Sequence, residues 1–418
     1  MEKYKVLVLS DHALSPSGVG VQTRFLINGL LEKNTWTFRQ LGAAIKHENY
    51  DVQKVAEDFI IKPVDGFGNE ELIRNLLVTE KPDVILLFTD PRFFVWLWNM
   101  EDEIHQICPI VYWHVWDNKP FPEYNNEFYQ ATDLINCHSH HTYEQVKEHW
   151  PDRTNFIPHA LPEEVFFEIV DRDFVKESKV GFMGKHREDD FVLLWISRNA
   201  KRKRPADLLW SWKIFLEEVE EVNGRKPATF VMHTDPFDRE GPDLTKVVDM
   251  LGITENVIFS NDRVNFQQMN MLHNMSDCVI NLSFAEGFGL TTLEAMQTKT
   301  PIIAPKTGGL TRQVVDHRDG SENGVALDIE FKSLVGSQDV PYIYEDYVSV
   351  ETTAKAIKKI YDMSDEERKE LGEKCSDYVN SEFNYQNTID MWHETMLKTV
   401  EDFKKGKSTT KRFELIEV

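Results

Sequence analysis

The sequence predicts an α/β chain of two doubly wound domains with parallel sheets. Its 418 residues are more than one hydrophobic core usually organises. Short apolar runs alternate with amphipathic stretches throughout, the grammar of βα units around parallel sheets rather than of an all-β or all-α chain. The stretch 166–190, "FFEIVDRDFVKESKVGFMGKHREDD", is charged and lacks periodicity, and it divides the runs into two series.

In the first series, strands are expected at 5–10, 36–42, 83–88, 110–115, 134–139 and 154–158. In the second they are expected at 191–197, 229–234, 256–260, 278–283 and 301–305. The stretch 166–190 reads as a linker, which gives an N-terminal domain over 1–170 and a C-terminal domain over 178–390. A last helix at about 390–418 is expected to pack back on the first domain. The pair Gly308-Gly309 reads as a helix stop. No fixed-period repeat is present, so a solenoid is not expected.

Apolar residues make up 41% of the chain, enough for two cores. The formal net charge of −23 argues against broad binding to nucleic acid or anionic lipid. The apolar run near the N-terminus is too short for a signal peptide, and no stretch approaches the roughly 18–20 apolar residues of a membrane span. A soluble, cytoplasmic protein is the expectation. Cys108, Cys137, Cys278 and Cys375 form no CxxC pair and read as reduced and buried.

In open α/β sheets, ligands gather where strand ends lead into helix N-termini. Three such turns stand out. In "SPSGVGVQTRFLINGLL", Gly18 and Gly20 open a helix; they suit close backbone approach to an anion, and equally a plain connecting turn, since Thr23 stands where a G-x-G-x-x-G would have its third glycine. In "ISRNAKRKRPADLL", Arg198, Lys201, Arg202, Lys203 and Arg204 follow a strand and precede a helix with Pro near its first turn. A doubly charged diphosphate would explain five cations there; a solvated charge run or a nucleic-acid patch are the alternatives. In "SFAEGFGLTTLEAM", Glu286 lies in the loop and Glu294 in the first or second turn of the helix that follows. Gly287, Phe288 and Gly289 offer backbone N–H groups to the same cavity. Two acids beside an anion site make sense if each accepts hydrogen bonds from hydroxyls, one from a ribose and one from a sugar.

The E-x7-E spacing of "EGFGLTTLE", followed by "AMQTKTPIIAPKTGG", resembles the signature of retaining GT-B glycosyltransferases of family 4. "SRNAKRKRPADLL" is similar to that family's phosphate-clamping segment, "NVIFSNDRVNFQQMNMLHNMSDCVINLS" resembles the stretch leading into the signature, and "NFIPHALPEEVF" resembles its interdomain region. The likeness covers about 154–320, with weaker support from "SGVGVQ" and "VYWHVWD". It implies the GT-B fold, two facing Rossmann-like domains with a cleft between them. It also implies that Arg198 and Lys203 hold a diphosphate, Glu294 the ribose and Glu286 the transferred sugar, with the amides of Phe288 through Thr291, Leu290 included, at the phosphates. Val264 would meet the base and His114 would lie near the donor sugar, although by sequence alone His114 reads more readily as a core histidine. The catalytic set is thus Glu286, His114, Arg198 and Lys203; Gly18, Gly20 and Gly287 complete the donor contacts.

The implied reaction moves a hexose from a nucleoside diphosphate sugar, with UDP-glucose the commonest donor, to an acceptor hydroxyl with retention. No cofactor and no metal are expected, because "DRD" (171–173) and "HRD" (317–319) sit in settings unsuited to one. The acceptor stays open among a glycan, a lipid-linked sugar, a small molecule, a protein and modified DNA. The segment "MHTDPFDREGPDL", Asn261 and "PHALP" depart from the family pattern, and "WDNKPFPEYNNEFY" (116–129) is unlike it, an acceptor-site or capping loop. A sugar-nucleotide epimerase is the competing enzyme; a nucleic-acid module using "KRKR" and the tail 404–412 is the reading from another class.

Overall fold

The computed structural model describes residues 3–407. It divides into two compact units, one comprising 1–159, 336–341 and 385–418, the other 160–335 and 342–384.

The first unit is built on an eight-stranded sheet. Its strands are β1 (Tyr4–Asp11), β2 (Trp36–Ala43), β3 (Gln53–Ala56), β4 (Phe59–Pro63), β5 (Val84–Phe88), β6 (Ile110–His114), β7 (Leu134–Cys137) and β8 (Thr154–Phe156). The order is β3-β4-β2-β1-β5-β6-β7-β8, parallel except for the β3–β4 pair. Strand periodicity sorts the side chains cleanly. Leu7, Leu9, Ile85, Leu87, Ile110 and Tyr112 enter one core layer, whereas Val6, Val8, Val84, Leu86, Val111 and Trp113 enter the other. A strand buried on both faces reads as an unbroken apolar run, which is why these strands are legible.

The helix Tyr385–Lys404 covers the second layer, with Ile389, Trp392, Met396 and Val400 buried at helical spacing. The Trp392 ring meets the edge of Trp113 at 4.9 Å, and Tyr385 donates its hydroxyl to the Phe25 carbonyl at 2.6 Å. The remainder of the expected 390–418 helix and of the basic tail 404–412, beyond residue 407, lies outside the described residues.

The second unit has a six-stranded parallel sheet of β9 (Phe191–Ile196), β10 (Ala228–His233), β11 (Val257–Ser260), β12 (Cys278–Ile280), β13 (Ile302–Pro305) and β14 (Gly324–Leu327). The order is β11-β10-β9-β12-β13-β14, so the winding direction reverses between β9 and β12. Phe191, Leu193 and Trp195 pack with Trp212 and Phe215 of the helix Pro205–Glu217. A two-stranded antiparallel ribbon, β15 (Phe331–Val335) and β16 (Ile343–Tyr347), follows β14.

Three features differ from the sequence reading. The stretch read as a linker contains an ordered helix, Arg172–Met183, capped by Asp171 through the Phe174 amide (3.1 Å) and anchored by buried Val175 and Met183. Two apolar anchors on twelve residues are too few to show as periodicity. The Gly308-Gly309 pair starts a helical turn, Gly308–Leu310, that continues into Thr311–Val314, rather than stopping a helix. The strands β3 and β4 and the β15–β16 ribbon were not expected; β3 and β15 are largely exposed and carry no buried alternation.

Candidate active site

Strand order reverses between β9 and β12, and the carboxyl ends of the strands at such a reversal are the usual ligand position in sheets of this kind. The chain after β9 leads through Arg198 and a helical turn Lys201–Lys203 into the helix Pro205–Glu217. The chain after β12 passes through Asn281, Ser283 and Glu286 to Gly289, which caps the helix Leu290–Gln297.

These two loops are joined by charge. The Lys203 ammonium donates to the Glu286 carboxylate, and both side chains are almost buried, 11% and 13% exposed. Arg202 Nη1 lies 4.0 Å from the same carboxylate and donates to the Ala285 carbonyl at 3.3 Å. Ser283 Oγ is 3.1 Å from Glu286 Oε2, and Asn281 Nδ2 donates to it at 3.5 Å. Burial alone would push the Glu286 carboxyl up, but the charges of Lys203 and Arg202, with hydrogen bonds from Lys203 and Ser283, hold it at about 2. Glu286 is therefore ionised at neutral pH, an acceptor of hydrogen bonds and not a proton donor.

This pairing has a pH signature. A carboxyl depressed in the folded state stabilises fully above its unfolded pKa, near 4.5, and loses that stabilisation as pH falls toward about 2. Glu286→Gln leaves Lys203 buried without its anion and is expected to be less stable at neutral pH. In urea denaturation, the gap between the variant and the parent should shrink as pH is lowered through that window. A gap independent of pH would refute the ion-pair assignment.

Glycines shape the loop that leads from β12 into the helix Leu290–Gln297. Gly289 adopts φ 93°, a conformation that suits glycine, and as N-cap it supplies no side chain to the first turn. The leading amides of the helix Leu290–Gln297, those of Leu290 and Thr291 among them, accordingly have no intrahelical partner. The Gly287–Phe288 segment is fixed from behind. Gln313 Nε2 donates to the Phe288 carbonyl (2.6 Å), the Gly309 amide donates to the Glu286 carbonyl (2.9 Å), and Thr292 donates to the Gly289 carbonyl (2.7 Å). One turn further on, Glu294 is 14% exposed and its carboxylate meets Nε2 of the fully buried His273 at 3.1 Å.

The remaining expected residues lie as follows. Arg198 is 64% exposed and makes a two-pronged ion pair with Asp238 (2.6 and 3.1 Å), which belongs to the segment that departs from the family pattern. Val264 sits in the loop after β11, two residues before the helix Phe266–Asn274. Gly18, Gly20 and His114 belong to the first unit. Gly18 starts the helix Gly18–Glu32, and the Gly20 amide is capped by Ser17 at 3.0 Å. His114 ends β6, fully buried, with Nε2 2.8 Å from the Tyr129 hydroxyl and Nδ1 without a hydrogen-bond partner. Burial, with a smaller contribution from His138, holds its pKa well below the usual range, so the ring is neutral.

His273, Ser283, Asn281 and Gln313 were not singled out from sequence. Asn281 and Ser283 were findable, five and three residues before Glu286. His273 and Gln313 reach the site from other elements, which only the fold brings together. Among the described residues, no cluster of three or more His, Cys, Asp or Glu side chains could hold a metal ion, and no helix is long and apolar enough to cross a membrane.

Known proteins share this architecture. Sucrose-phosphate synthase from Thermosynechococcus elongatus superposes with a TM-score of 0.73 at 14% identity, covering 95% of this chain and 99% of that one. Anabaena HepE, solved in complex with UDP-glucose, gives 0.66 at 15% identity over 94% and 99%. The fold is thus the GT-B arrangement. In sequence, the chain is 25% identical to the N-acetyl-alpha-D-glucosaminyl L-malate synthase of Bacillus anthracis over 66% of its own length, and it spans 63% of that relative. The glycosyl transferases group 1 family matches residues 182–377, which hold β9 through the helix Leu290–Gln297 and every side chain of the Lys203–Glu286–Glu294 array. By that match, the stretch 182–377, which carries this site, is similar to the glycosyl transferases group 1 family.

Proposed function

We propose that this protein is a retaining glycosyltransferase that moves a hexose from a UDP-sugar to an acceptor hydroxyl in the cytoplasm, without a metal ion. The observation that carries the reading is the buried Lys203–Glu286 pair at the strand-order reversal, beside the uncapped start of the helix Leu290–Gln297. UDP-glucose bound to the structurally similar Anabaena HepE supports the choice of donor class.

In this reading the bond between the anomeric carbon and the diphosphate oxygen breaks, and negative charge grows on the leaving group. Lys203, whose ammonium holds Glu286, is also the cation that faces the diphosphate. Arg198, released from Asp238, adds a planar fork for phosphate oxygens. The amides from Phe288 to Thr291, which lead into the helix, and its positive end act on the same charge. Together these groups stand where a metal would otherwise neutralise the diphosphate. Glu286, ionised throughout, accepts from hydroxyls of the transferred sugar, and Glu294 accepts from the ribose while His273 fixes its orientation. Val264 meets the base through its backbone. Neutral His114 is assigned to the sugar's neighbourhood, and Gly18 and Gly20 to close approach by the donor. The acceptor hydroxyl forms the new bond on the face the phosphate leaves, and its proton passes to the departing phosphate, so no side chain serves as base.

A thermal-shift screen of UDP-, GDP- and ADP-sugars tests this. A true donor at 100 times its dissociation constant adds about 2.7 kcal/mol of stability. UDP-sugars are expected to raise the melting temperature most. No response to any nucleotide sugar, or conversion of the donor to its epimer without an acceptor, would overturn the proposal.

A further inference from the structure

The ribbon β15–β16 reaches the site through its last two residues. The Asp346 amide donates to the Phe284 carbonyl at 2.9 Å, and the Asp346 carboxylate accepts from Thr307 Oγ1 and Lys332 Nζ, each at 2.7 Å. The Tyr347 ring stacks on Phe331 (4.5 Å, 13° between planes) and packs against Phe284 at 4.4 Å. Over both rings lies the Arg204 guanidinium, 5.3 Å from the centre of Phe284 and 5.5 Å from that of Tyr347.

Arg204 is an unusual residue in an unusual place. It follows Lys203 directly, is 7% exposed, and adopts the left-handed conformation at φ 54° where the turn Lys201–Lys203 hands over to the helix Pro205–Glu217. A non-glycine residue in that conformation persists only where its surroundings hold it. Here the Asp207 carboxylate takes its Nε at 2.8 Å while the two rings take its face. Phe284, for its part, precedes Glu286 by two residues and donates its amide to the Arg202 carbonyl at 3.0 Å. The two loops that meet as Lys203 and Glu286 are thus stapled a residue or two away by Arg204, Phe284 and Tyr347.

We infer that Tyr347 and Asp346 are positioning residues: the ribbon clamps Arg204 against Phe284 and thereby sets the register in which Lys203 meets Glu286 and in which its charge is presented to the donor. The part concerning the donor rests on the glycosyltransferase reading; the part concerning the Lys203–Glu286 register does not. Cation–ring and ring–ring contacts of this kind are local and directional, so their loss shifts the loops without removing a substrate contact.

Two measurements on the full chain test the inference. The first needs no donor: the Glu286 carboxyl is titrated by carbon-13 NMR, with Glu286→Gln to assign its resonance. Tyr347→Ala is expected to raise the titration midpoint, and Tyr347→Phe, which keeps the ring, to restore the parent value. An unchanged midpoint in Tyr347→Ala would overturn the inference whatever the protein binds. The second measures dissociation constants for UDP and UDP-glucose by calorimetry. Tyr347→Ala and Arg204→Lys, which keeps the charge and loses the planar face, should each weaken binding about tenfold. Leu334→Ala, an exposed position on the same ribbon, should not change it. A parent protein that binds neither ligand refutes the donor reading alone; a parent that binds both while Tyr347→Ala binds equally well refutes the clamp alone.

Discussion

Lys203→Ala is expected to lower turnover with a nucleotide-sugar donor by about 10²–10³-fold, the cost of about 2.7–4 kcal/mol associated with deleting one preorganised donor to a developing oxyanion. The residue faces a buried carboxylate and, in the proposed reaction, a diphosphate whose charge grows as the sugar departs. Its removal has a second consequence. Glu286 stays buried with Arg202 at 4.0 Å as its nearest remaining cation, and breaking one side of such a pair costs about 3–5 kcal/mol of stability. Rates should therefore be measured well below the variant's melting temperature. Lys203→Arg restores charge but brings a wider fork to a site shaped for a point charge, and it should recover stability better than turnover. Release of nucleoside diphosphate under saturating donor checks both variants. Turnover within about threefold of the parent for Lys203→Ala would remove this residue from the mechanism.

Gly309→Ala is expected to destabilise the protein by about 1–3 kcal/mol, the range for overpacking a tight site, and to abolish donor-induced stabilisation. A Cβ at this position would fall 2.5 Å from the Phe288 Cα and closer still to the Gly287 carbonyl oxygen. Both are backbone atoms and cannot rotate aside, so the Gly287–Phe288 segment must move. That movement displaces the amides proposed to meet the phosphates and strains the hydrogen bond between the Gly309 amide and the Glu286 carbonyl. Urea denaturation and a donor thermal shift, measured on the same preparation, separate the two effects. A parent-like midpoint together with parent-like donor response would show that the loop yields freely and that its position is unimportant.

The parts of the site that were legible in the sequence are those carried by local pattern. Glu286, Gly289 and Glu294 lie in one short segment with a recognisable spacing, and Lys203 lies in a basic run that a charge of −23 makes conspicuous. Strands such as β9, with the sequence FVLLWI buried along its whole length, announce themselves because a parallel strand covered on both faces has no polar position to interrupt it. The helix Arg172–Met183 was obscure for the converse reason, since its face carries only two buried side chains. Arg198 was legible as a cation at a strand end, whereas its pairing with Asp238, forty residues away, was not.

The sequence alone determined the class of the fold, the approximate place of most strands, and the acid, base and glycine content of the candidate site, because each of these is written in side-chain type and short-range period. Only the tertiary structure decided the partners. It brought Lys203 to Glu286 across 83 residues, His273 to Glu294 across 21, and the ribbon residue Tyr347 to the face of Arg204. Those pairings depend on which strands lie side by side, and strand order is set by the burial of whole faces and the handedness of crossovers, not by any property of the paired residues themselves.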